Sequence, residues 1–171
     1  MIPTLESERL LLRGHRTTDF SDCLDLWSDP EVTRYIGGRP FSNEEVWARL
    51  LRYSGHWTLL GFGYWLVADR VTGLLIGEVG FADFKRQIAP SFDGIPEIGW
   101  ALMPWAQGRG LATEAVRRAV LWGDQHFAPG TTTGCLINPD NFASFRVAEK
   151  AGYREYCRTF YKDHPAVILR R

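Results

Sequence analysis

PWAQGRGLATEAV, residues 104–116, lies between an apolar run, EIGWALM (97–103), and a stretch of helical periodicity that reaches Phe127. Pro104 ends the apolar run, Gly108 and Gly110 supply a flexible turn, and a helix begins at once. The first amides of a helix have no internal acceptor and stand at the positive end of its dipole. Small residues let an anion approach them. Gln107-Gly108-Arg109-Gly110-Leu111-Ala112 therefore has the parts of a phosphate cradle, with Arg109 as a further charge. A plain strand-to-helix connection would use the same residues. A Walker A loop is excluded, because no Gly-Lys-Ser/Thr follows, and the dinucleotide pattern fails at Thr113, where a third glycine belongs.

Downstream, TTTGCLIN (131–138) reads as a strand. A strand, helix and strand over 97–138 call for a right-handed crossover and a parallel pair. Upstream, GYWLVADR (63–70) and LLIGEVGF (74–81) flank Val71-Thr72-Gly73 and form an antiparallel hairpin. ERLLLRG (8–14) is a further strand. Helices are expected over 19–29, capped by Asp19, at a turn over 30–35 opened by Pro30, and over 42–57, opened by the capping box Ser42-x-x-Glu45. A last helix spans 141–151 and stops at Gly152, and EYCRTFYK (155–162) and AVILRR (166–171) close the chain as strands. The result is an α+β fold: a mixed sheet with helices on its faces.

The chain has 171 residues, 45% of them apolar and 13% aromatic, which suits one packed domain over residues 1–171. Formal net charge is zero and the isoelectric point is near 6.9. The basic footprint of a nucleic-acid or anionic-membrane binder is absent. No cationic-then-apolar leader opens the chain, and no apolar run has the length of a membrane span. Cys23, Cys135 and Cys157 are odd in number and lack metal spacing, which reads as reduced thiols in a cytoplasmic protein. His15, His56, His126 and His164 are scattered, so no metal is expected.

Six stretches, RLLLR with its acidic helix (9–29), SDPEVTRYIGG (28–38), IGEVGF (76–81), EIGWAL (97–102), GRGLATEAV (108–116) and NFASFRVAEKAGYR (141–154), occur in an order that resembles the GNAT superfamily of acetyl-CoA-dependent N-acetyltransferases. Within it the chain looks most like the RimJ/RimL branch of ribosomal-protein alanine N-acetyltransferases. The family's pyrophosphate loop, Gln/Arg-x-x-Gly-x-Gly/Ala, is matched by Gln107, Gly110 and Ala112.

The resemblance implies a mostly antiparallel sheet with one splayed parallel pair. It implies acetyl-CoA as co-substrate, held by Leu102, Met103, the loop from Gln107 through Thr113, Asn141 and Ser144. One amide of Leu102 or Met103 would face the thioester oxygen. The acceptor would be an amine, either a protein N-terminus or a small molecule such as an antibiotic or polyamine. A homodimer is common in this branch. Asn141 would bond the pantetheine amide and can also cap its helix; Ser144 would sit near the sulfur, or merely fill space. Many relatives carry a tyrosine acid where this chain has Ala148, and a serine is a far weaker proton donor. That departure keeps a non-catalytic acyl-CoA-binding module open. Glu97, at the head of its strand, is the candidate general base, with a surface ion pair as the alternative; Glu78 and Glu114 are lesser candidates. The polar loop over 84–97, with Lys85, Arg86 and Asp93, would border the acceptor.

Overall fold

The computed structural model describes residues 1–171. Eight strands form one sheet: β1 (Leu5–Glu6), β2 (Leu10–Arg13), β3 (Tyr64–Asp69), β4 (Leu75–Ala82), β5 (Glu97–Leu102), β6 (Gly134–Ile137), β7 (Arg154–Tyr161) and β8 (His164–Arg170). Their spatial order is β1-β2-β3-β4-β5-β6-β8-β7. Every pair is antiparallel except β5 and β6. That pair shares one register position, Glu97 with Gly134, and then parts. The outer edge of β5 is zipped to β4 and that of β6 to β8, so a V opens between β5 and β6 with Glu97 at its vertex. The mixed sheet with a splayed parallel pair is as expected.

Five α-helices cover the two faces: α1 (Phe20–Ser28), α2 (Pro30–Thr33), α3 (Asn43–Leu60), α4 (Leu111–His126) and α5 (Phe142–Lys150). Leu111, Ala115, Val116 and Ala119 of α4 pack on Trp65, Val67, Val79 and Ile98 on one face. Cys23, Leu26 and Trp27 of α1 and Val46 and Leu50 of α3 pack on Leu66, Ala68 and Ala101 on the other. Being covered twice, β3 reads as a continuous apolar run rather than an alternating one. The α3 box forms as its spacing predicts: Ser42 Oγ accepts from the Glu45 amide and Glu45 accepts from the Ser42 amide. The helix outruns the expected Trp57 by three residues and stops at Gly61. None of the helices is long and apolar enough to cross a membrane.

One local expectation fails, and one strand was not foreseen. Asp19 does not cap α1; its carboxylate turns back to the Arg13 guanidinium at 2.7 and 2.8 Å and the Arg16 amide at 2.7 Å, because a bidentate charged pair outweighs a single cap bond. The two-residue β1 carries too little pattern to be read.

His15, Cys23 and Glu78, distant in sequence, converge under the sheet with their ligand atoms within 4.8 Å of one another. The spacing that argued against metal ligation did not reveal this cluster. Its bonding is that of a hydrogen-bond hub: Glu78 accepts from Trp27 Nε1 at 3.0 Å and faces His15 Nε2 at 3.0 Å. Burial and the nearby carboxylate push the Cys23 thiol well up, so it stays protonated. Burial opposes ionisation of Glu78, but hydrogen bonds from His15 and Trp27 overcome it and hold the carboxyl below its ordinary range. A carboxylate depressed in the fold stabilises above its unfolded value and loses that contribution as pH falls. Glu78→Ala should cost about 3–5 kcal/mol at neutral pH, since it strands the partners of a buried charge. Calorimetry should show a Tm lower by on the order of 10 °C, with the gap to wild type narrowing as pH drops below ~4.

Candidate active site

The Gly-rich turn lies at the mouth of the V. A single turn of tighter helix, Pro104–Ala106, leads out of β5, and Gln107 Nε2 donates to Leu102 O at 3.2 Å. Gly110 caps α4 with φ +77°, a left-handed conformation that a side chain would strain. The first bond into the helix runs from the Glu114 amide to Gly110 O at 3.1 Å. The amides of residues 108–113 donate to no backbone carbonyl, and residues 107–110 are exposed. A 16-residue helix thus presents unpaired donors at its positive end, with the Arg109 side chain beside them.

The loop is braced from behind. Arg9 donates to Arg109 O at 3.0 Å and to Glu114 at 2.7 Å, and Glu114 also accepts from Ser7 Oγ and the Arg9 amide at 2.8 Å each. Glu114, a lesser candidate for the base, is therefore occupied as a brace. Glu78, the other, is sealed in the hub at 1% exposure.

Each arm of the V offers polar groups. Of the two amides expected to serve the thioester, that of Met103 is taken: its N–H bonds Ile76 O on β4 at 2.8 Å. Donors alternate along a strand, so the amides of Leu102 and Trp100 turn to the open edge instead. Across the V, α5 starts just beyond β6. Asn141 Oδ1 accepts from the Ser144 amide at 3.1 Å, which is the N-cap. Nδ2 of Asn141 and Oγ of Ser144 are left over on a half-buried surface, one turn apart. Ala148, where the family resemblance implied a tyrosine, is fully buried in the core.

Glu97 has another occupation than that of a free base. It is 5% exposed, and its two oxygens accept from Arg86 Nε at 2.6 Å and Nη2 at 2.7 Å. The guanidinium fork takes one lone pair of each oxygen, and the burial leaves little of the carboxylate open to a substrate. The ion pair weighed against the base is what forms, and it is buried rather than superficial. Of the loop residues expected to border the acceptor, Arg86 comes to the site. Exposed Lys85 pairs with Asp83 at 2.6 Å, and Asp93 stays exposed.

Tyr64 of β3 is core, at 7% exposure, and it lies beside the site. Gly99 faces it across the sheet surface: a Cβ at Gly99 would run into the Tyr64 hydroxyl, so only glycine permits that approach. The Tyr64 ring stacks on Tyr53 with centroids 4.4 Å apart and planes within 5°, and the Tyr53 hydroxyl accepts from Arg49 at 2.8 Å. Burial pushes the Tyr64 phenol well up, so it remains a neutral donor. The sequence signal for this approach was Gly99 itself, a side-chain-free position within an apolar strand.

The chain matches known proteins in sequence and in fold. The family model described as the acetyltransferase (GNAT) domain matches residues 9–154. YoaA of Bacillus subtilis, an uncharacterised N-acetyltransferase, is 27% identical over 156 residues, which cover 91% of this chain and 85% of YoaA. A Bordetella pertussis structure described as a GNAT-family acetyltransferase superposes with TM-score 0.86 at 29% identity, covering 99% of both chains. More distant sequences share the fold: RimL, the ribosomal L7/L12 α-N-protein acetyltransferase, in complex with coenzyme A (TM-score 0.78, 15% identity, 99% and 97% covered) and Vibrio cholerae spermidine N-acetyltransferase in complex with CoA and spermine (0.72, 19%, 96% and 94%). With the family model spanning the sheet from β2 to the start of β7, the chain belongs to the GNAT acetyltransferase family.

Proposed function

We propose that this protein transfers the acetyl group of acetyl-CoA to a primary amine by direct attack within a ternary complex, in the manner of the RimJ/RimL branch. The observation that carries the reading is the row of unpaired amides over residues 108–113 at the mouth of the V. In this reading the pyrophosphate of acetyl-CoA lies on Gln107, Gly108, Arg109, Gly110, Leu111, Ala112 and Thr113. The pantetheine arm enters the V, where the Leu102 amide and the Asn141 amide nitrogen bond it. Ser144 Oγ stands by the sulfur as a hydrogen-bond donor. Thioester polarisation falls to β5 amides that are fixed before substrate arrives, which is the form of stabilisation that needs no reorganisation.

With Glu97 bound by Arg86, the amine has to lose its proton without a strong base. An α-amine has pKa ~7.7–8.0 and a lysine amine ~10.4, so near pH 7 the lysine costs about 3.5 kcal/mol more to deprotonate. The site suits an amine of low pKa. RimL and the spermidine enzyme, which share this fold, take a protein N-terminus and a polyamine respectively by their names.

Thermal unfolding tests the reading. A ligand at 100 times its Kd adds ~2.7 kcal/mol, which for this size raises Tm by on the order of 5–10 °C. Acetyl-CoA should give that rise and ATP should not. Release of free CoA thiol on adding an amine separates an enzyme from a non-catalytic acyl-CoA-binding module. A Tm that ignores acetyl-CoA would remove the reading's support.

A further inference from the structure

We propose that the acceptor of this site carries a carboxylate a few bonds from its amine, and that Arg52, with Arg49, binds it. The proposal rests on the acetyl-transfer reading and names the substrate class for it.

Arg49 and Arg52 lie on α3, three residues apart and so on one helix face. Neither has a carboxylate oxygen within salt-bridge distance. Arg49 is half-buried; its guanidinium lies 3.8 Å from the Trp27 ring centroid, its Nη1 donates to the Tyr53 hydroxyl, and its buried Nε has no partner. The Arg52 guanidinium sits 5.3 Å from the centre of the Phe84 ring and donates to no protein atom. Arg86 approaches the same ring at 4.8 Å. Arg52 and Arg86 thus share the Phe84 ring, Arg86 with its charge paired by Glu97, while Arg49 lies one helical turn away against Trp27, Phe41 and Tyr53. The carboxylates close by are engaged elsewhere: Glu97 by Arg86, Asp83 by Lys85, and Glu78 in the hub with His15 and Trp27.

The patch is continuous with the V. Tyr53 receives Arg49, stacks on Tyr64, and Tyr64 reaches Gly99 on β5. Tyr53 and Tyr64 are themselves buried, so an acceptor would lie over half-buried Phe84, with its amine toward β5 and its far end at Arg52. Uncompensated cations repel a polyamine or aminoglycoside and attract an anion, and a guanidinium fork matches a carboxylate in shape. That carboxylate can belong to a free amino acid or to an acidic residue at a peptide N-terminus.

Matched acceptors decide it. Thiol release would be measured for amino acids against their carboxamides, and for peptides with Asp or Glu at the second position against Asn or Gln. A charge-assisted hydrogen bond predicts kcat/KM about 10- to 100-fold higher for the carboxylate member of the series that fits. Arg52→Gln, at an exposed position, should reduce that ratio to within about threefold and leave the acetyl-CoA-induced Tm rise unchanged. A merely structural arginine would lower both members equally. Equal or better turnover of the amides, or preference for spermidine, overturns the proposal while acetyl transfer stands. Calorimetric titration of N-acetylated amino acids and their amides, with CoA present, gives the same comparison without turnover, and equal affinities overturn it. Failure of acetyl-CoA itself to raise Tm would instead strike the underlying reading.

Discussion

Gly110→Asp should abolish acetyl-CoA binding and leave the protein folded. A Cβ at Gly110 meets nothing nearer than Arg9 Nη2 at 3.6 Å, so there is room for a side chain. The φ of +77° imposes left-handed strain of about 1–2 kcal/mol on any substituent, which the domain can bear. The carboxylate would then stand among the free amides of residues 108–113, where it satisfies them itself and repels a pyrophosphate. Like charges so placed cost several kcal/mol. At 1.4 kcal/mol per decade, a Kd raised at least ~100-fold is expected, enough to erase the thermal shift. Gly110→Ala carries the strain without the charge and should keep binding within about tenfold of wild type. If the aspartate variant binds acetyl-CoA normally by calorimetry, the loop does not hold the pyrophosphate.

Glu97→Gln should cost stability more than chemistry. It removes one half of a pair whose side chains are 7% and 20% exposed, leaving the Arg86 guanidinium without its counter-charge. Breaking a buried pair from one side typically costs about 3–5 kcal/mol, and the partial exposure of Arg86 favours the lower end. That is a fall in Tm on the order of 10 °C. Arg86→Gln should lose about as much, and the double variant less than the sum, the signature of a coupled pair. If Glu97 acts only by holding Arg86, kcat/KM of the variant should fall by one factor across the pH range. A pH–rate profile that loses its acidic limb in Glu97→Gln would restore the carboxylate to the role of base.

The elements of the fold were legible because their signals are local. Ser42-x-x-Glu45 states where α3 begins, Gly152 where α5 ends, and the change from helical to strand periodicity after Gly61 marks the hairpin. The Gly-rich turn was legible for the same reason: its chemistry lies in backbone amides, and backbone conformation follows from glycine and proline placement. Side-chain partnerships were not. Glu78 meets Trp27 and His15 from 51 and 63 positions away, and no spacing encodes that meeting. Arg49 and Arg52 look like the wet face of an amphipathic helix until Trp27 and Phe41 pack against the first and Phe84 against the second. Tyr64 reads as core and is core; only its hydroxyl, at Gly99, departs from core behaviour. Glu97 could be placed at the head of β5, but the identity of its partner depended on the path of the loop before it.

The V between β5 and β6 also shapes how the molecule holds together. Strands β1 to β5 form one hydrogen-bonded block and β6, β8 and β7 another, and their backbones pair only around Glu97 and Gly134. Across so thin a seam the two blocks are held by the side chains of one core, from Val79 and Ile98 to Ile137 and Leu169, rather than by backbone. A molecule lying in the V would touch both blocks along its length. Ligand and protein would then share one unfolding transition, with the substrate acting as the missing rungs of the ladder.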